Sequence, residues 1–279
     1  MRVQIRASLT YSFPQPADVV LAVEAIRADD QVIVSDRLAV MPPGDLKRAE
    51  GLEEEGRRQW LSASDTVTVT YDALVDITRG HVNIAGLLVP PRRELPSDMI
   101  TYLMPSRYCE SDRLAEFAES QFAGLQGGDQ VLTMSRWIHD NFQYVPGASN
   151  AATTAFDTFQ SRQGVCRDYA HTLISFARAV GIPARMVSAY APGLDPPDFH
   201  AVVEVWLDGR WHLVDPTQLA AEDTMVRIAV GRDATDISFM TIFGAADLLD
   251  QRVAVSLVEP ETVAPVPAQK SGFWNRRRA

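Results

Sequence analysis

The sequence predicts an α+β protein: a β-sandwich-like first part, then a part in which one helix packs on an antiparallel sheet. Three observations carry this. Short alternating segments separated by turn residues fill positions 1–95. Tyr169, Leu173, Phe176 and Val180 recur at helical spacing from residue 166 onward. Two strand-like runs, HAVVEVWL and RWHLVDPT, flank Asp208-Gly209, the strongest short-range hairpin signal.

Taken in order, VQIRASLTYSF, VVLAVEAI, QVIVSDRLAVMP and TVTVTYDALVDI predict strands, and short strands joined by turns predict a sandwich. The charged stretch DLKRAEGLEEEGRRQWL reads as an exposed connection, with Glu53, Glu54 and Glu55 a solvated face. Pro90, Pro91, Pro96 and Pro105 argue against regular structure and set a domain boundary near residue 100. DRLAEFAESQFAG then predicts a helix capped by Ser111 or Asp112, and Gly127-Gly128 separates it from a second helix. There Val131, Met134, Trp137, Ile138 and Phe142 form a core-facing stripe. Strand-like text after Thr217, ending in DQRVAVSLVEP, completes the second domain. The expected division is 1–100, 101–258 and a Pro-rich, finally basic disordered tail over 259–279.

The chemistry concentrates between Ser161 and Thr217. A thiol is a strong nucleophile only as thiolate, and a helix N-terminus favours that form. Cys166 stands where such a helix begins, after Gly164 breaks the preceding chain; Gly181 and Pro183 end it. A two-residue hairpin turn pairs Leu207 with Arg210 and sets Val202 opposite Asp215. His200, two residues from Val202, then lies on the same face as Asp215 and diagonal to it, so one ring nitrogen reaches the carboxylate and the other is left for Cys166. That is a nucleophile, base and orienter arrangement. A slip of one residue would put His200 and Asp215 on opposite faces.

The segments GVCRDYAH, GIPARMVSAY and HAVVEVWLDGRWHLVDPTQ resemble the transglutaminase-like superfamily of papain-related cysteine enzymes, in its bacterial form. The resemblance implies a papain-like fold with Cys166 as nucleophile, His200 as general base and acid, and Asp215 as orienter. The Cys166 backbone N–H is the expected first oxyanion donor, and Tyr144, Gln160 and Gln163 are candidates for the second, with Tyr144 preferred. His212 falls on the hairpin face opposite Asp215, and His171 on a helical face away from Cys166; His81 and His139 have no evident partner. A zinc site of Cys166, His171 and His200 lacks the usual paired ligand spacing, and no cofactor is expected. Asp168 suits the first helical turn through the dipole.

A net charge of -10 argues against nucleic acid or an anionic membrane as partner. Two cysteines make no disulfide framework, so Cys109 is expected to be a buried structural thiol. No long apolar run follows the N-terminal charges, which predicts a cytoplasmic protein. The expected activity is acyl transfer from amide bonds of peptides or proteins through a thioester, with hydrolysis favoured. Transfer to an amine, as in a transglutaminase, is the alternative; an arylamine acetyltransferase-like enzyme and a non-catalytic binding module rank lower. The absence of a calcium loop of the Asp-x-Asp-x-Asp-Gly kind supports hydrolysis over cross-linking.

Overall fold

The computed structural model describes residues 1–51 and 53–258, so the expected tail over 259–279 lies outside the described residues. The chain begins with β1 (Arg2–Glu24), β2 (Gln31–Met41), β3 (Lys47–Arg48) and β4 (Arg57–Ile77). The strands are longer than the sequence pattern predicts. VQIRASLTYSF and VVLAVEAI, read as two strands, are one. The pairing register with β4 shifts between Phe13 and Ala17, so Pro14 and Pro16 fall in a bulge. A bulge carries prolines past a ladder that their missing N–H groups would otherwise end. Burial alternates along β1 and β4, and one face of the sheet packs Ile5, Leu9, Val19 and Leu21 with Val69, Tyr71 and Val75.

The second part contains α1 (Ala115–Gln121), α2 (Gly127–Asn141), β5 (Gln143–Tyr144), α3 (Ala155–Ser161), β6 (Gln163–Gly164) and α4 (Cys166–Ala179). It continues with β7 (Ala184–Tyr190), β8 (Phe199–Leu207), β9 (Arg210–Val214), β10 (Val226–Gly231), α5 (Ala234–Ile237), β11 (Met240–Phe243) and β12 (Asp247–Val258). A four-stranded antiparallel sheet runs β10-β7-β8-β9. The α4 residues Leu173, Phe176 and Ala177 share a core with Val203, Val205 and Leu207 of that sheet. Among the described residues, no helix is long and apolar enough to cross a membrane.

Three expectations are corrected. The first helix starts at Ala115 after Leu114, without a side-chain cap, so neither Ser111 nor Asp112 caps it; Leu114 is buried in the core. Gly127 and Gly128 do not separate two helices but open α2. A Cβ on Gly128 would stand 1.7 Å from the Ile84 carbonyl oxygen, and one on Gly127 2.0 Å from that of Leu87. Close backbone approach is what Gly128 serves, and Gly127 combines it with a positive φ of 53°. Finally, β11 and β12 do not join the second sheet. β12 pairs with Arg2–Ser12 of β1, and β11 with Asp18–Leu21. The sequence identified DQRVAVSLVEP as a last strand but carries no information about its partner, and β1 offers a long open edge.

The two sheets are joined by buried polar contacts. The Tyr190 hydroxyl donates to the Val23 carbonyl at 2.7 Å, and the Arg227 N–H donates to Gln31 Oε1 at 2.8 Å. Glu204, buried on β8, accepts from Arg185 at 2.7 Å and from Arg227 at 2.9 Å, and Arg227 also pairs with Asp30. Burial pushes the Glu204 carboxyl up, but the two guanidinium groups outweigh it and hold it below its usual value. Glu204→Gln leaves two buried cations facing a neutral amide. It is expected to cost about 3 kcal/mol in urea unfolding at neutral pH. Because the folded pKa is depressed, the wild-type advantage is present above the unfolded carboxyl pKa and fades as pH falls through the folded one. A loss under about 1 kcal/mol would mean that this network does not hold the sheets together.

Candidate active site

Cys166 is the first residue of α4, and extended Val165 precedes it at the cap position. The carboxylate of Asp168 closes this turn, accepting from the Val165 N–H at 2.8 Å. It also accepts from Ser149 Oγ at 2.6 Å, tying the approaching loop to the helix start. Asp168 is fully buried, so its task is internal anchoring as well as suiting the dipole. Gly164 permits that packing, since a Cβ there would lie 2.6 Å from the Asp168 Cβ. No sequence pattern pointed to Ser149.

Tyr144 arrives through a second local device. β5 and β6 form a short parallel pair in which Tyr144 lies beside Gly164, with the Val145 N–H donating to the Gly164 carbonyl at 2.9 Å. The Tyr144 phenol lies within electrostatic reach of both the backbone N–H and the sulfur of Cys166. Burial, and then negative charge on Cys166, pushes the phenol pKa up. Gln160 and Gln163, the other donor candidates, are exposed.

The hairpin turns at Asp208 and Gly209, both at positive φ (47° and 76°) as a type I′ turn requires. Leu207 pairs with Arg210 and Val203 with Val214, the register expected. His200 Nε2 donates to Asp215 Oδ2 at 2.8 Å, and both side chains are buried. The other carboxylate oxygen accepts from the Thr217 N–H at 2.9 Å and its hydroxyl at 2.7 Å. The Asp-x-Thr spacing was a legible Asx-turn signal for Thr217 that the sequence reading passed over. With Nε2 committed to Asp215, Nδ1 is the ring nitrogen left for Cys166, which also acts on the ring electrostatically. Burial opposes charge on His200, but the bond to Asp215 and the influence of Cys166 outweigh it and raise its pKa to about 10. Burial likewise pushes Asp215 up, and His200 and Thr217 more than reverse this, holding it below its usual value.

The remaining candidates lie elsewhere. Cys109 is fully buried, and burial pushes its thiol up to about 12, whereas Cys166 is half-buried. His171 accepts from the Ala234 N–H at 3.2 Å and stacks on Tyr108 with ring centres 5.2 Å apart. Burial drives its pKa down to about 3, so it is neutral. His212 donates to the Leu207 carbonyl at 3.2 Å. Among the described residues no three His, Cys, Asp or Glu side chains group as metal ligands.

Comparison with known proteins bears on the family and the fold. The family model of the Transglutaminase-like superfamily matches residues 115–216. A crystal structure from Cytophaga hutchinsonii, described as that of a "putative cysteine protease", superposes with a TM-score of 0.86. It is 35% identical and covers 94% of this chain and 92% of its own. An uncharacterized protein of Mycobacterium leprae is 29% identical over 116 residues, 39% of this chain and 42% of that protein. A protein-glutamine gamma-glutamyltransferase of Pseudomonas aeruginosa is 36% identical over 103 residues, 32% of this chain and 15% of that enzyme. The chain thus spans less than half the length of either of these two relatives.

The His200 geometry has a measurable consequence. NMR titration of the His200 ring is expected to give a pKa near 10 in the native protein. Asp215→Asn removes the charge that holds the proton and is expected to lower it, because burial then acts without its main opponent. Since the folded pKa is raised, the interaction contributes its full stability below about 6.5 and loses it as pH rises through about 10. A native His200 titrating at or below 6.5 would contradict the described pairing.

Proposed function

The chain belongs to the transglutaminase-like superfamily, and from that premise we propose that it is a cysteine-dependent enzyme of amide bonds in peptides or proteins, acting through a thioester on Cys166. The observation that carries this reading is the hydrogen bond of His200 Nε2 to Asp215 at 2.8 Å, which leaves Nδ1 for Cys166.

The steps follow from the groups present. Cys166 Sγ, its proton already held on His200 Nδ1, attacks the amide carbon, and the carbonyl electrons move onto oxygen. That oxyanion takes the Cys166 N–H, and the Tyr144 O–H donates to the same oxyanion. When the tetrahedral species collapses, the C–N bond breaks and His200 returns its proton to the leaving amine. Water then enters on the same side and gives a proton to Nδ1. The C–S bond breaks, yielding a carboxylic acid and the thiol. Asp215 keeps the ring oriented and balances the imidazolium charge in both halves.

Hydrolysis is the preferred outcome because Cys166 and Tyr144 are only partly covered, so the thioester stands open to water. A second reading, transfer of the acyl group to an amine, draws on the likeness to the Pseudomonas aeruginosa gamma-glutamyltransferase. Both share the acyl-enzyme and differ only in what accepts the acyl group.

The experiment offers glutamine-containing peptides together with a fluorescent primary amine and reads the products by mass spectrometry. Free acid is expected to exceed amine adduct, and Asp215→Asn is expected to lower turnover by about 10⁴-fold while the fold is retained. Amine incorporation that outpaces hydrolysis at millimolar amine would reverse the preference. Undiminished turnover in the Asn variant would remove Asp215 from the mechanism.

A further inference from the structure

We propose that Ser149 is a positioning residue for acyl transfer, holding the Tyr144 hydroxyl where the oxyanion of the substrate forms. The proposal rests on Cys166 as nucleophile and Tyr144 as oxyanion donor, and it names the group that fixes that donor.

Very little backbone brings Tyr144 to the site. β5 and β6 have two residues each, and Tyr144 pairs with Gly164, two residues before Cys166. The Gln143 N–H donates to the Arg162 carbonyl at 2.8 Å, and the Val145 N–H to the Gly164 carbonyl at 2.9 Å. So short a pair is marginal by itself. Burial does not hold the ring either, since Tyr144 is 44% exposed and meets Tyr169 with ring centres 5.9 Å apart. An oxyanion donor has to stand within about 3 Å of the developing charge, so a loosely held one loses most of its effect.

The chain beyond Tyr144 supplies the missing constraint. It turns back at once: the Ala148 N–H donates to the Val145 carbonyl at 3.1 Å, with Gly147 at a positive φ of 82°. Ser149 then meets the first turn of α4. Its hydroxyl donates to Asp168 Oδ2 at 2.6 Å and accepts from Arg167 at 3.1 Å. The same Arg167 nitrogen donates to the Asn150 carbonyl at 2.9 Å. The loop that follows Tyr144 is thereby fastened at both ends to the segment carrying Cys166, through Val145 on Gly164 and through Ser149 on Asp168. Asp168 is fully buried and also holds the Val165 N–H at 2.8 Å, so its carboxylate is a fixed anchor. Removing the Ser149 hydroxyl frees the far end of the loop but leaves the bond between Asp168 and Val165 that shapes the helix start.

Two reagents separate the oxyanion from the sulfur. p-Nitrophenyl acetate acylates a thiolate through a tetrahedral oxyanion, whereas iodoacetamide alkylates it by direct displacement and needs no oxyanion donor. Rates at Cys166 are read as nitrophenolate release for the first and by mass spectrometry for the second. The proteins are wild type, Ser149→Ala, Tyr144→Phe and the double variant, each shown folded by a thermal melt. Tyr144→Phe is expected to slow acylation about 100-fold. Ser149→Ala is expected to slow it about tenfold, since the donor is displaced rather than lost. Alkylation is expected to stay within about twofold, and the double variant to acylate no more slowly than Tyr144→Phe alone. Arg167→Gln, which removes the other side of the same contact, is expected to repeat the Ser149→Ala pattern. A parallel fall in alkylation, or failure of both Ser149→Ala and Arg167→Gln to fold, makes the contact structural and overturns the proposal. Acylation losses that multiply in the double variant overturn the path through Tyr144. Undiminished acylation in Tyr144→Phe removes the donor, and the proposal with it, while leaving Cys166 as nucleophile. Acylation that persists in Cys166→Ala overturns the reading on which the proposal rests.

Discussion

The register of one hairpin governs everything the site can do. The two residues Asp208 and Gly209 close the turn with both backbones at positive φ, and that choice fixes Leu207 against Arg210. Counting back along both strands, it delivers His200 Nε2 to the Asp215 carboxylate at 2.8 Å. Strand side chains alternate, so any single-residue slip would part the two. Once Nε2 is held, Nδ1 is the only nitrogen that can serve the sulfur, and the ring's charge, orientation and tautomer all descend from a turn several residues away.

Around that hairpin the fold brings separate elements to one point. The start of α4 supplies Cys166, the parallel pair of β5 and β6 supplies Tyr144, and the buried Asp168 locks the loop carrying Ser149 to the helix start. The first sheet is not a detached module. Its β12 bonds through Gln251 to Asp198, two residues before His200, and Asp30, just before β2, shares Arg227 with Glu204, four residues beyond His200. A disturbance in the first sheet therefore has a short path of ionic contacts to the strand that carries the base.

The sequence made the site more legible than the scaffold. Cys166, His200 and Asp215 could be placed because each is positioned by local rules: a helix start, a hairpin register and side-chain alternation. What was not legible depends on contacts between distant segments. Nothing in DQRVAVSLV says that it pairs with β1, and the two glycines of α2 look like a break until the Ile84 and Leu87 carbonyls are seen against them. Pro14 and Pro16 divided one long strand into two on paper because a bulge has no strong sequence mark. Ser149 is invisible for the same reason: a serine in a loop acquires meaning only from the carboxylate it meets.

The account's central claim is that an acyl group passes through the sulfur of Cys166. Acid quenching during turnover of a glutamine-containing peptide, followed by peptide-mapping mass spectrometry, tests this most directly. The predicted result is the acyl mass on the fragment containing Cys166, present in wild type and missing in Cys166→Ala. An adduct at another residue, or turnover that persists in the alanine variant, would contradict it.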